Sequence, residues 1–212
     1  LFAKCPIEKL EADNDPTPYK KIFKMRGFLV FLILMAMAGA AEQAIAQWAS
    51  YFAEVSLGIS NKTTGDLLGA CLFALGMAIS RTAYGFLGDK INLKLAIAFC
   101  AALLTGAYLL ASLSPIPYLS LAGIALSGLF VGIMWPGIYS LAGKSFPVGG
   151  TKMFGMLALA GDVGCTIGPS LQGIITSDIK TGLLFSTIYP LILFMGIMIL
   201  CIPKKKEQRE LR

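Results

Sequence analysis

Apolar residues come along this chain in six long runs, at roughly 27–52, 64–87, 93–113, 116–143, 152–176 and 182–202, with short polar gaps between them. Each run is about 20 residues or longer, which at about 1.5 Å per residue crosses a hydrocarbon core of about 30 Å. A single run of this kind could be a buried core helix. Six in series leave too few polar residues to face water. The pattern therefore predicts an all-α integral membrane protein, a bundle of six transmembrane helices. Composition agrees: 56% of residues are hydrophobic, 14% are charged and mean hydropathy is +0.73. A soluble domain of this length is far less apolar.

Charge then orients the predicted helices. Lys4, Lys9, Lys20, Lys21, Lys24 and Arg26 precede the first run. Lys90 and Lys94 follow the second, with Arg81 two turns inside it, and Lys144 and Lys152 follow the fourth. The tail carries Lys204, Lys205, Lys206, Arg209 and Arg212, whereas the alternate gaps hold only Lys62 and Lys180. The positive-inside rule assigns the cation-rich side, and both ends of the chain, to the cytoplasm. The net charge of +6 follows from this bias, so a basic tail near anionic lipid explains it and no nucleic-acid partner is needed. Residues 1–26 are polar and proline-containing and read as an interhelical loop, so the chain is expected to be a piece of a longer protein. The expected organisation is a loop at 1–26, the bundle at 27–202 and a basic cytoplasmic tail at 203–212.

Candidate chemistry is sparse. No His is present, which excludes Ser-His-Asp and Cys-His catalysis and His-ligated zinc. The five cysteines are scattered without C-x-x-C spacing and read as small apolar residues, so neither metal, cofactor nor enzyme activity is expected. Asn61-Lys62-Thr63 matches a glycosylation sequon, a pattern common by chance. The third and sixth runs have no ionisable acid or base in their interiors. The first carries Glu42, Gln43, Gln47 and Ser50, which at about 100° per residue fall within one half of a helix. The fifth carries Asp162, with Thr166 one turn on. Glu42 lies about 22 Å and Asp162 about 15 Å along their helices from the cytoplasmic ends. A carboxylate at that depth is costly unless it is protonated, paired or facing water. Either it lines a polar cavity or it bonds a neighbouring helix; amide neighbours favour solute contact for Glu42, and small neighbours favour helix contact for Asp162. Trp135 and Tyr139, one turn apart, could stack on a sugar face or pack against a neighbour.

Glycines spaced four apart at Gly65/Gly69, Gly128/Gly132 and Gly164/Gly168 predict close helix approaches. Pro136 and Pro169 predict bends in the fourth and fifth helices.

The gap after the second run, Gly85-Phe86-Leu87-Gly88-Asp89-Lys90-Ile91-Asn92-Leu93-Lys94, resembles the G-x-L-x-D-R-x-G-R-[RK] loop of the major facilitator superfamily, with Lys90, Asn92 and Leu93 departing from it. In such a turn Gly85 allows close packing, and Asp89 can cap the next helix. Gly132-Ile133-Met134-Trp135-Pro136-Gly137-Ile138-Tyr139-Ser140-Leu141 and the Gly149–Pro169 region are similar to the tenth and eleventh helices of fucose permeases, though Asp162 departs from their Gly-rich version. The resemblance covers essentially the whole chain as the C-terminal half, helices seven to twelve, of a twelve-helix transporter. It implies a secondary transporter of the plasma membrane, with an N-terminal six-helix half as partner and a sugar-like solute, coupled to protons. It also implies that helices one, two, four and five line the cavity and that three and six support it. Glu42, Gln43, Gln47, Trp135 and Tyr139 are then the expected solute contacts, and Arg81, Gly85, Asp89, Lys90 and Lys94 the gating turn. An efflux transporter of the same fold, and a half-length protein that does not transport, remain as alternatives.

Overall fold

The computed structural model describes residues 18–25, 27–57, 62–88, 90–147, 149–175 and 178–201. Asp89, Asn61, most of the expected loop at 1–26 and the tail at 203–212 lie outside these. Among the described residues the fold is all-helical, with six candidate membrane spans: Phe28–Val55, Thr63–Leu87, Leu93–Leu113, Pro117–Ser145, Gly150–Ile175 and Ile179–Cys201. Each lies on one of the apolar runs, so hydrophobic length alone located them.

The helices are interrupted where backbone hydrogen bonding is. Pro136 has no N–H for the Gly132 carbonyl, and the fourth span breaks at residues 132 and 133 into Pro117–Val131 and Met134–Ser145. The sixth breaks at Thr187, where Pro190 leaves the Ser186 carbonyl without its helical donor. Pro169 behaves otherwise. Gly150–Ile175 runs through it as one helix, without the break seen at Pro136. In the second span the π-helical turn Leu67–Cys71 accommodates Gly69 against the Ala49 carbonyl of the first span. Part of the segment expected as loop is also helical. Tyr19–Phe23 forms a short helix that buries Ile22 completely, and this apolar anchor overrides the polar composition around it.

Glycine decides how the spans dock. A Cβ on Gly164 would strike the Ala36 carbonyl, one on Gly39 the Gly161 carbonyl, and one on Gly168 the Ala40 backbone. The first and fifth spans thus meet almost backbone to backbone, as small residues permit in a membrane. The second span docks on the fourth in the same manner, with Gly128 on the Phe73 carbonyl and Gly132 on Ser80. The third span packs on the fourth and sixth, and Gly123 lies against Ala107 and Ala111. Buried Tyr108 ties it to the first by donating its hydroxyl hydrogen to the Ala41 carbonyl. Burial is uneven: 61% of the fourth span's most apolar stretch is covered but only 11% of the second's. The second span therefore leaves most of its surface open.

Two features of the turn after the second span differ from expectation. The helix Leu93–Leu113 is capped by Asn92, whose Oδ1 accepts from the Leu95 amide, because the cap must immediately precede the first helical residue. Asp89 is three residues too far back for that role. Gly85 is exposed and a Cβ there would meet nothing within 4 Å, so no close packing depends on it within the described bundle. Lys94 donates to the Leu200 carbonyl at 3.0 Å, placing a cation at the C-terminal end of the sixth span. Lys90 is exposed.

Candidate functional site

The glycine seam between the first and fifth spans sets the positions of the polar side chains. Glu42 follows Gly39 by about one turn, and Asp162 and Cys165 flank the Gly161–Gly164 contact. Glu42 and Asp162 both lie within electrostatic reach of the Cys165 thiol, so the two intramembrane acids face one neighbourhood from different helices. Pro169 adds an acceptor there, since it withholds the N–H that the Cys165 carbonyl would otherwise receive.

The second span brings the counter-charge. Its contact at Gly132 is made by Ser80, and the next residue, Arg81, reaches Glu42 with Nη2 at 3.3 Å from Oε2. Arg81 stands about 9 Å along its helix from Leu87, whereas Glu42 stands about 21 Å from Phe28. The guanidinium therefore extends into the bundle instead of snorkelling to the nearer surface. Glu42 is 13% exposed and Arg81 47%, so the pair sits at the boundary of the packed region with one side open. Pairing offsets part of the cost of the buried carboxylate, and the open guanidinium edge keeps donors free.

The fourth span supplies aromatic rings. The Trp135 indole lies across Gly161, where a Cβ would overlap it. Its ring centroid is 6.3 Å from that of Tyr139, which is 5.9 Å from that of Phe154. Asp162 is exposed beside this row and interacts electrostatically with the Tyr139 phenol. Tyr84 of the second span donates to Ser140 at 2.8 Å, closing the row toward the lysine-rich end. Gln43 is half-buried and Gln47 exposed at the end of Phe28–Ala46, continuing the polar face away from that end. Trp135 Nε1 is buried and has no hydrogen-bond partner among the described residues.

Glu42, Arg81, Trp135, Tyr139 and Asp162 are thus brought to one flank of the seam. Lys90 and Lys94 are not among them. Two residues outside the expected solute contacts and gating turn also matter. Gln172 is 3% exposed and accepts from Ser186 at 3.3 Å, and Tyr189 donates to the Gly168 carbonyl at 3.2 Å. Together they bind the fifth span to the sixth. The small residues Gly182 and Gly168 opposite them were the available signal.

Chemically, the flank offers an openable ion pair, a second carboxylate and an aromatic wall in a low-dielectric setting. The family profile of the Major Facilitator Superfamily matches residues 27–212. The chain belongs to that superfamily. It is therefore an integral membrane protein of a transporter family, and its six apolar helices fit a half bundle of that fold. No curated protein and no solved structure matches the chain.

Proposed function

We propose that the chain is the C-terminal half of an alternating-access transporter of the plasma membrane. It carries a sugar or similar small polar solute in symport with protons, and both ends of this segment are cytoplasmic. The Glu42–Arg81 pair supports this reading most directly, because it spans two helices at an open, mid-membrane position. Intramembrane charge placed on an accessible face marks a solute or ion path better than a structural tie, which would be buried throughout. A proton or a solute hydroxyl that engages Glu42 releases Arg81, and that exchange can bias two arrangements of the first and second helices. Gln43 and Gln47 add hydrogen-bonding groups suited to a polyol along the same helix. Trp135 and Tyr139 supply ring faces.

One observation favours efflux of an organic cation instead. Asp162 stands beside the Trp135–Tyr139–Phe154 row, and a carboxylate with aromatic rings attracts a cation. Proteoliposomes containing the intact transporter and an internal pH dye separate the readings. Symport predicts that added external sugar acidifies the lumen, that Glu42→Gln abolishes this acidification, and that Gln47→Ala raises KM without lowering protein abundance. Lumen acidification on sugar addition that survives Glu42→Gln would remove the pair from coupling. Proton release driven by an amine solute would favour efflux.

A further inference from the structure

The other flank of the glycine seam has a different character. There the first and fifth spans diverge into an apolar cavity of about 380 Å³ that includes Ile33 and Ala36 on one wall, Met156, Leu159 and Val163 on the other, and Phe23 at the mouth. Ile33 lies about 8 Å along its span from Phe28, and Val163 about 20 Å along its span from Gly150. The groove therefore runs from the lysine-rich end to about the middle of the fifth span. Lys152 stands one turn before Met156 on the same helix face, at that mouth. Its ammonium rests 5.2 Å from the centre of the Tyr19 ring, and Tyr19 and Phe23 are one turn apart on the short helix. Lys20, Lys21 and Lys24 on and just after that helix are exposed.

We infer that this groove seats an acyl chain of an anionic phospholipid whose headgroup is held by Lys152 and the neighbouring lysines. An apolar slot of leaflet depth closed at its outer end by ammonium groups is complementary to that molecule: hydrocarbon below, phosphate above. A zwitterionic lipid would fill the slot but would carry no net charge for the lysines. The aromatic rings at the mouth sit where amphipathic side chains meet headgroups. A polypeptide segment laid in the same slot would leave the lysine cluster without its partner. The site is separate from the Glu42–Arg81 flank and does not depend on which solute is carried.

The test uses the full protein in vesicles of equal phosphatidylglycerol and phosphatidylcholine with matched acyl chains, one lipid at a time carrying a photoreactive diazirine in its acyl chain. Phosphatidylglycerol is expected to label the peptides containing Ile33, Leu159 and Val163 at least threefold more than phosphatidylcholine does. Lys152→Gln should remove that preference at an unchanged melting temperature, and Lys152→Arg should keep it. Equal labelling by the two lipids, labelling no stronger than on the outer faces of the third and sixth spans, or no effect of Lys152→Gln would each overturn the assignment. So would exclusion of both lipids from the groove, which would mean that protein covers it.

Discussion

The same two helices, the first and the fifth, present opposite chemistry on the two sides of their contact. On one side lie Glu42, Asp162, Cys165 and, from neighbouring spans, Arg81, Trp135 and Tyr139. On the other lie Ile33, Ala36, Met156, Leu159 and Val163, without a polar side chain. Between them runs a seam so close that glycine is required. A membrane helix that meets only lipid has no use for a carboxylate, and one that meets only water has no use for an apolar slot. On the proposed reading, the asymmetry separates a face that handles solute from a face that handles hydrocarbon, and the seam keeps them apart.

Breaking the seam should remove both faces at once. Gly164→Leu drives a side chain into the Ala36 backbone, where no rotamer change relieves it, and should cost on the order of 3 kcal/mol. Loss of the monodisperse peak in detergent chromatography is the expected result. Gly155→Leu, at an exposed position with nothing within 4 Å of a Cβ, should leave that peak unchanged.

A smaller effect should mark the polar face alone. Arg81→Ala leaves Glu42 unpaired, and because Arg81 is nearly half exposed the stability loss should be only about 1 kcal/mol. Uptake should fall at least tenfold. Adding Glu42→Gln to Arg81→Ala should restore the stability but not the uptake, since the unpaired charge is gone while the switchable pair is still missing. Restored uptake in the double variant would reduce the pair to a structural tie.

Much of this was legible in the sequence, and the part that was not has physical causes. Hydropathy located every span because a bilayer tolerates few other patterns. The glycine pairs spaced four apart announced the seams because a missing side chain is a local property. The partner of Glu42 was not legible. Arg81 lies 39 residues away, and its depth, two turns from the loop, reads equally well as part of the turn motif. Only the second span's docking through Gly132 and Ser80 brings it inward. Gln172 was missed for a related reason: it acts on a neighbouring helix, and linear spacing records only what happens along one. The capping role given to Asp89 failed because Asn92 stands closer to the helix start.

Outside both faces, effects should be modest. Tyr108→Phe removes a buried hydroxyl bonded to the Ala41 carbonyl and should cost about 1 kcal/mol in denaturant unfolding, with uptake kinetics unchanged. Changed kinetics would extend the functional face to the third span. The smallest effect belongs to Asp178, which caps Ile179–Ser186 outside the spans. The Thr181 hydroxyl and amide donate to its carboxylate and hold its pKa below the ordinary aspartate value. A lowered folded value means that the cap's contribution is present above the ordinary pKa and is lost as pH falls through the lowered one. Thermal stability should therefore drop slightly more on acidification below about pH 4 in the native protein than in Asp178→Asn. Parallel pH curves for the two would contradict it.

On the proposed reading, one flank of the first–fifth seam meets water and the other meets lipid. In a background with its cysteines replaced by alanine, Thr166→Cys on the exposed polar stripe and Ile33→Cys in the groove can be compared in proteoliposomes of the intact protein. The measurement is the rate of modification by a membrane-impermeant thiol reagent. Modification at Thr166→Cys is expected to be at least tenfold faster than at Ile33→Cys. Equal rates, or faster modification in the groove, would contradict it.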